Sequence, residues 1–151
     1  MRNMIINARR ITDAAILPNK AHRTDAGLDL YAAEDINIDP HKTVLVSTGI
    51  ALEIPEGHAG LIWDRSSMGV KGIHRFGGVI DSGYRGEIKV CLANLSYGLH
   101  DWPYHRVSYK IEQGDKIAQL IVHQIPDVQI VESDILTTSS RDIGGFGSSG
   151  K

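Results

Sequence analysis

The chain has a single cysteine, Cys91, so it cannot carry an intramolecular disulfide framework, and a CxxC-type zinc or redox site has no material. Long hydrophobic runs are missing: with no stretch of about eighteen apolar residues, a membrane-spanning helix is not expected. An excess of positive charge is missing too. Sixteen Lys and Arg stand against eighteen Asp and Glu, a formal net charge of −2. That balance excludes a globally basic nucleic-acid binder and leaves only local phosphate sites open. The opening residues, MRNMIINARR, lack an apolar core ending in a small-residue cleavage site, so a secretory leader is not expected. The expectation is a soluble, cytoplasmic or otherwise intracellular protein with no nucleic-acid or membrane partner. At 151 residues the chain has the length of one domain. A domain of that size buries about 68–70% of its unfolded surface and needs no staples.

What is abundant is glycine: sixteen residues, above the usual share of roughly 7%. They gather at 57–60, 69–72, 77–86 and 144–150. Between them lie segments rich in β-branched residues, at 43–50, 58–63, 87–92, 117–125 and 128–131. In the segment 87–92, Ile88, Val90 and Leu92 point one way and Glu87, Lys89 and Cys91 the other, which predicts a strand. The segment 117–125 is apolar on both faces except at Gln119 and His123, which predicts an interior strand. Short strands separated by Gly, Pro and Asp turns predict an all-β sandwich or barrel. The first sixteen residues fit two patterns: Met4, Ala8, Ile11 and Ala15 mark a helix face, while Met4–Ile6 also fits a strand. Residues 1–136 are expected as the domain, with Val128–Val131 as its last strand. Residues 137–151 follow the polar run Thr137–Ser140 and are expected as a flexible tail.

Four clusters could carry chemistry. Asp29 lies between Leu28 and Leu30, and an acid between buried neighbours needs a partner or a metal. Residues 64–69 combine Arg65, Ser66 and Ser67 at a short helix start, where a phosphate could bind or Ser could act as an ordinary N-cap. Residues 77–86 place Asp81 after an apolar pair and Tyr84 inside a Gly-flanked turn. Turns ask for Gly, Asn, Asp and Ser rather than an aromatic, so Tyr84 is expected to face a ligand. Residues 145–150 pair Phe146 with a Gly-Ser run whose amides could surround phosphates, with Arg141 upstream. This run lacks P-loop spacing. None of the seven histidines falls at a HExxH or HxxxH spacing, so all are expected as structural or surface residues.

Taken in order, the segments 26–35, 65–72, 78–86, 114–121 and 141–150 resemble the five motifs of the homotrimeric deoxyuridine triphosphatase (dUTPase) family, and the resemblance covers essentially the whole chain. It implies a distorted β-barrel or jelly roll of the dUTPase-like (β-clip) type with one short helix and a flexible C-terminal tail. The implied reaction is hydrolysis of dUTP to dUMP and pyrophosphate. Asp81 matches the acid that activates the attacking water and contacts the sugar 3′-hydroxyl. Tyr84 matches the ring beneath deoxyribose that leaves no room for a 2′-hydroxyl. Gly78, Val79, Ile80 and the returning strand through Lys89 match the hairpin whose backbone reads uracil. Arg65, Ser66 and Ser67, with Met68 beside them, match a phosphate-binding segment from a neighbouring subunit, and Gln119 matches a further phosphate contact. Arg141 matches a residue reaching the terminal phosphate. Phe146 matches a ring stacking on the base, followed by Gly147 and Ser148. Asp29 matches the acid that holds the water shell of Mg2+. The implied assembly is a homotrimer with active sites between subunits.

Some residues depart from the family pattern. Asp64 stands where an apolar or small residue is frequent, Gly69 replaces a common Ala, and Arg75 lies where some members use Asn. The stretch 97–109 is longer and more aromatic than the usual connection. Two other functions share parts of this pattern. A dCTP deaminase needs a glutamate ten residues beyond the hairpin acid, a position held here by Cys91. A non-catalytic β-sandwich binding or regulatory module would tolerate loss of Asp81, Tyr84 or Arg141, yet all three are present.

Overall fold

The computed structural model describes residues 4–96, 108–140 and 142–143. Along the chain they form β1 (Asn7–Arg10), β2 (Leu28–Tyr31), β3 (Ile36–Ile38), β4 (Thr43–Ser47), β5 (Ile50–Glu53) and β6 (His58–Trp63). A single-turn helix α1 (Ser66–Gly69) follows, then β7 (Ile73–Phe76), β8 (Val79–Ile80), β9 (Lys89–Asn94), β10 (Tyr109–Ile111) and β11 (Lys116–Gln124). The class is all-β with one short helix, as expected. None of the described helices is long and apolar enough to cross a membrane.

Four antiparallel sheets enclose the core. One runs β2-β11-β6-β8, a second β4-β9-β7, and two pairs, β1-β5 and β10-β3, complete the wall. β11 lies between β2 and β6. Its two-sided apolar pattern follows from that interior place, with Ile117, Ala118 and Leu120 all at most 1% exposed. On β9 and the residue before it, Ile88, Val90 and Leu92 point into the core as their alternation predicts. Burying each such side chain contributes about 1.5–3 kcal/mol.

Three expectations about elements are revised. The β-branched run at 43–50 is two strands rather than one. Gly49 breaks it at φ +64°, where a Cβ would lie 2.9 Å from Ala15 Cβ and closer still to Thr12 Oγ1. At the N-terminus the strand starts at Asn7, one residue beyond the expected Met4–Ile6, and the helical alternative is not formed. β1 pairs with β5 on one side, and all four of its residues are exposed. Val128–Val131 is not a strand within the chain. After Ile125, whose amide donates to Gly57 O at 2.8 Å, every residue from 126 to 140 is exposed, so the apolar side chains there are not buried among the described residues.

Candidate active site

A cleft of about 320 Å³ is lined by Leu45, Val79, Ile80, Asp81, Tyr84, Glu87 and Lys89. It opens between the two larger sheets. β8 pairs with β6, through Gly60↔Ile80 and Leu61↔Val79, and not with β9, so the expected hairpin is not a paired one. β8 is therefore an edge strand of its sheet, and an edge strand presents unpaired backbone donors and acceptors. Gly78 leads into it at φ +111°, with its carbonyl accepting the Ile62 amide at 2.7 Å. A Cβ on Gly78 would lie 3.0 Å from Ile62 O, so only glycine lets the strand approach β6 this closely.

Asp81 opens the turn and is exposed to the cleft. The Tyr84 amide donates to Asp81 O at 3.1 Å, which closes the turn. The Tyr84 ring is 45% exposed. It lies so close over Gly86 that a Cβ there would be 2.5 Å from its Cζ, and its hydroxyl donates to Glu87 O at 2.9 Å. Arg85 folds back over the same turn: Nη1 donates to Ser82 O at 2.6 Å and to Tyr84 O at 2.9 Å. The aromatic in this turn thus lines the cleft with nearly half of its surface exposed.

Glu87 was not singled out from the sequence, where it occupies the polar side of an alternating strand. Its carboxylate accepts the Ser47 hydroxyl and, at 2.9 Å, the Gly49 amide, and it pairs with Lys89 Nζ at 3.5 Å. Burial works against its charge, but the Ser47 hydroxyl, the Gly49 amide and Lys89 together hold the carboxyl below the usual carboxylate range. A depressed folded-state pKa adds stability above the unfolded value of about 4.3, and that stability is lost as pH falls through the folded value. We expect the urea stability of wild type to exceed that of Glu87→Gln at pH 6, with the difference shrinking steadily towards pH 3. A difference that stays constant across that range would show that ionisation of Glu87 is irrelevant to folding.

A second cleft, of about 360 Å³, brings together Asp29, Arg65, Ser66, Ser67 and Gln119, with Gly27 beside them. Arg65 is the N-cap residue of α1, in an extended conformation without a side-chain cap, so the Ser N-cap reading is set aside. Asp29 finds its partners: Arg65 Nε lies 3.1 Å from Oδ1 and Lys116 Nζ 2.7 Å from Oδ2. The bond to Asp29 holds the Lys116 ammonium above its ordinary pKa, so it stays charged throughout the neutral range. Arg65 Nη1 also donates to Lys116 O at 3.2 Å. Gln119 Nε2 donates to Asp64 O at 2.8 Å, and Gly27 leaves the space that Gln119 occupies, since a Cβ there would lie 2.6 Å from Gln119 Oε1. Met68 does not join this cleft. Its side chain is in the core at 5% exposure, and its amide donates to Arg65 O.

Among the described residues the two clefts share no lining residue. Arg141, Phe146, Gly147, Ser148 and most of the stretch 97–109 lie outside the described residues. No group of three or more His, Cys, Asp or Glu side chains among the described residues could hold a metal ion, and both oxygens of Asp29 already have cationic partners. Neither Asp29 oxygen is thus free of a cationic partner in this cleft.

A family model described as dUTPase matches residues 13–150. The chain belongs to the dUTPase family. It is 43% identical over 148 residues to a deoxyuridine 5′-triphosphate nucleotidohydrolase of Nocardia farcinica, covering 96% of this chain and 85% of that protein. The counterpart in Clostridioides difficile is 40% identical, with 96% and 97% covered. Among solved structures, the Staphylococcus bacteriophage 80alpha dUTPase with dUPNHPP superposes at a TM-score of 0.87 and 28% identity, covering 99% and 100% of the two chains. A mutant dUTPase of phage phi11 of S. aureus, whose structure concerns a structural Mg(II) ion, gives a TM-score of 0.77 at 26% identity over 87% and 98%.

Within this dUTPase fold, two departures, Asp64 and Arg75, acquire structural reasons. The Asp64 carboxylate ties the end of β6 to β7, accepting the Arg75 amide at 2.8 Å and lying 2.5 Å from His74 Nδ1. Arg75 places its guanidinium 5.3 Å from the Trp63 ring centroid and donates to Gly77 O. Gly69 has open space where a Cβ would stand, so no steric reason excludes the common Ala there.

Proposed function

We propose that this chain hydrolyses dUTP to dUMP and pyrophosphate, acting on the cell's nucleotide pool as an intracellular enzyme. The observation that carries the reading is the first cleft. There an exposed carboxylate, Asp81, an exposed ring, Tyr84, and the open backbone edge of β8 converge. The edge of β8 hydrogen-bonds the uracil rim, and rigid backbone excludes the thymine methyl. A hydrophobic pocket separates one methylene by only roughly 10–200-fold, so rejection of dTTP has to come from that rigid wall. Tyr84 packs under the deoxyribose. Asp81 accepts a proton from water as the oxygen attacks the α-phosphorus in line, and the bond from that phosphorus to the β-phosphate bridging oxygen breaks. Pyrophosphate leaves with the electron pair.

Arg65, Ser66, Ser67 and Gln119 hold the phosphates. Because their cleft is separate from that of Asp81 within one chain, a neighbouring subunit brings it to the base, as a homotrimer with shared sites requires. Mg2+ bound to the triphosphate would neutralise its charge, with Asp29 touching the ion's water shell. The exposed 126–140 segment carries Val128, Ile130, Val131, Ile135 and Leu136, each at least 64% exposed, and this much exposed apolar surface asks for cover. It crosses to a neighbour, Val128–Val131 adding a strand to an open sheet edge. Arg141 and Phe146, with Gly147 and Ser148, then close over the nucleotide. The deaminase alternative loses its ground at Cys91, which lies on β9 between Leu45 and Phe76 in register and offers no carboxylate.

The test is magnesium-dependent pyrophosphate release from dUTP, dTTP, dCTP and UTP. Release from dUTP alone is expected, and a protein that binds dUTP without releasing pyrophosphate would sink the reading. In the same assay Tyr84→Ala should raise UTP turnover relative to dUTP. An unchanged ratio of the two kcat/KM values would make Tyr84 merely structural.

A further inference from the structure

Tyr84 selects the sugar only if its ring is held at a fixed height, and the bonds within its own turn, Tyr84 N to Asp81 O and Arg85 Nη1 to Ser82 O and Tyr84 O, brace backbone atoms and not the ring. The hydroxyl end of the ring is held close against Gly86, and the hydroxyl donates to Glu87 O at 2.9 Å. Both partners belong to residues 86–87, so the ring goes wherever those two residues go. Their position is set by bonds to the turn between β4 and β5. The Glu87 carboxylate accepts from Ser47 Oγ and from the Gly49 amide at 2.9 Å. The next residue repeats the attachment, the Ile88 amide donating to Ile50 O at 2.8 Å and Thr48 Oγ1 donating to Ile88 O at 2.5 Å.

The receiving turn is itself fixed. Gly49 O accepts the Ile11 amide at 2.7 Å, and Gly49 packs against Thr12 and Ala15 with no room for a Cβ. The Glu87 side chain is only 19% exposed, and a carboxylate withdrawn from water to that degree persists only where donors meet it. Here two donors on one oxygen and an ammonium beside the other meet that need. β4, one strand of this turn, also carries Leu45 on the opposite wall of the cleft. Glu87 thus connects the wall bearing Leu45 to the residues that carry the ring.

We infer that Glu87 is a positioning residue for sugar selection: its carboxylate, clamped on Ser47 and Gly49, fixes the height of the Tyr84 ring and so the exclusion of a 2′-hydroxyl. The inference rests on the reading of Tyr84 as the ring beneath the sugar. It predicts that loss of the clamp relaxes discrimination rather than merely weakening the protein. Misplacing a substrate-facing group by about 1 Å can cost up to about 10²-fold.

In the full-length enzyme, Glu87→Ala should lower the dUTP-over-UTP ratio of kcat/KM by about tenfold or more, the size of effect such a displacement produces. Glu87→Gln should keep the ratio close to wild type, because its amide oxygen accepts the same two donors. Combining Glu87→Ala with Tyr84→Ala should add nothing to the ratio change of Tyr84→Ala alone, since the clamp has no ring left to place. A purely structural role would lower turnover of both nucleotides equally and leave the ratio alone. Should Glu87→Ala fail to fold, Ser47→Ala, which removes one donor and little volume, decides in its place, and a fall in its ratio is expected. If Tyr84→Ala leaves the ratio unchanged, the reading of the ring fails and takes this inference with it. If Tyr84→Ala shifts the ratio while folded Glu87→Ala or Ser47→Ala does not, the inference alone is overturned.

Discussion

Replacing Asp81 by Asn is expected to lower turnover of dUTP at least about a hundredfold, the lower end of what a positioned general base contributes. Four titratable side chains line the cleft: Asp81, Tyr84, Glu87 and Lys89. Glu87 is committed to Ser47, Gly49 and Lys89, and Lys89 to Glu87. The Tyr84 hydroxyl donates to Glu87 O. That leaves Asp81, exposed at the head of the turn, as the group able to take a proton from water. Asn matches it in shape and can still hydrogen-bond a sugar hydroxyl, so binding of the imido analogue dUpNHpp should survive within a few-fold. Calorimetry for the analogue and single-turnover chemistry for dUTP separate the two effects. Near-normal single-turnover rates in the variant would remove Asp81 from the base role. Loss of binding with chemistry intact at saturation would make it a sugar contact only.

The parts of this molecule that could be read in advance are those where one chain's periodicity decides the outcome. The alternation of Ile88, Val90 and Leu92 against Glu87, Lys89 and Cys91 gives β9 its core face, because strand side chains have a period of two. The two-sided apolar pattern of 117–125 gives β11 its place between β2 and β6. The break at Gly49 was hidden, since β-branched residues continue on both sides of it and only the close approach of Thr12 and Ala15 demands glycine. The partners of Asp29 were partly legible: its need for a counter-charge follows from its apolar neighbours, but Arg65 and Lys116 come from strands and loops far away in sequence. Glu87 carried no signal at all, because a polar residue on the outward side of a strand is what any solvated face would show. Val128–Val131 has strand composition and no strand partner among the described residues. Composition reports the propensity to pair but not which chain supplies the edge. The same limit applies to the site: the resemblance assigned Arg65, Ser66 and Ser67 to a neighbouring subunit, and in the single chain the acid and phosphate clefts lie apart.

That separation makes a mixing experiment decisive for the assembly. Residues 126–140 are fifteen exposed residues, and at about 3.3–3.6 Å each they reach ~50 Å when extended, enough to cross onto a neighbour. A chain truncated after Ser140 keeps Asp81, Tyr84 and both described clefts but loses Arg141 and Phe146. It should assemble normally and lose most of its activity, because the nucleotide is no longer closed off from water and its leaving phosphates are not gripped. Full-length Asp81→Asn keeps the tail and lacks the base. Each protein alone should be nearly inactive. Mixed under conditions of subunit exchange, they should regain activity, because a tail from an Asp81→Asn chain can close over the intact Asp81 of a truncated one. In a random one-to-one mixture about a quarter of sites combine both intact parts if each tail serves a neighbouring subunit in a closed cyclic trimer. Recovery near that fraction, with mixed assemblies verified by native mass spectrometry, is the expected result. Verified mixed trimers that stay inactive would show that each tail serves its own chain. A truncated protein as active as wild type would show instead that residues 141–151 take no part in catalysis.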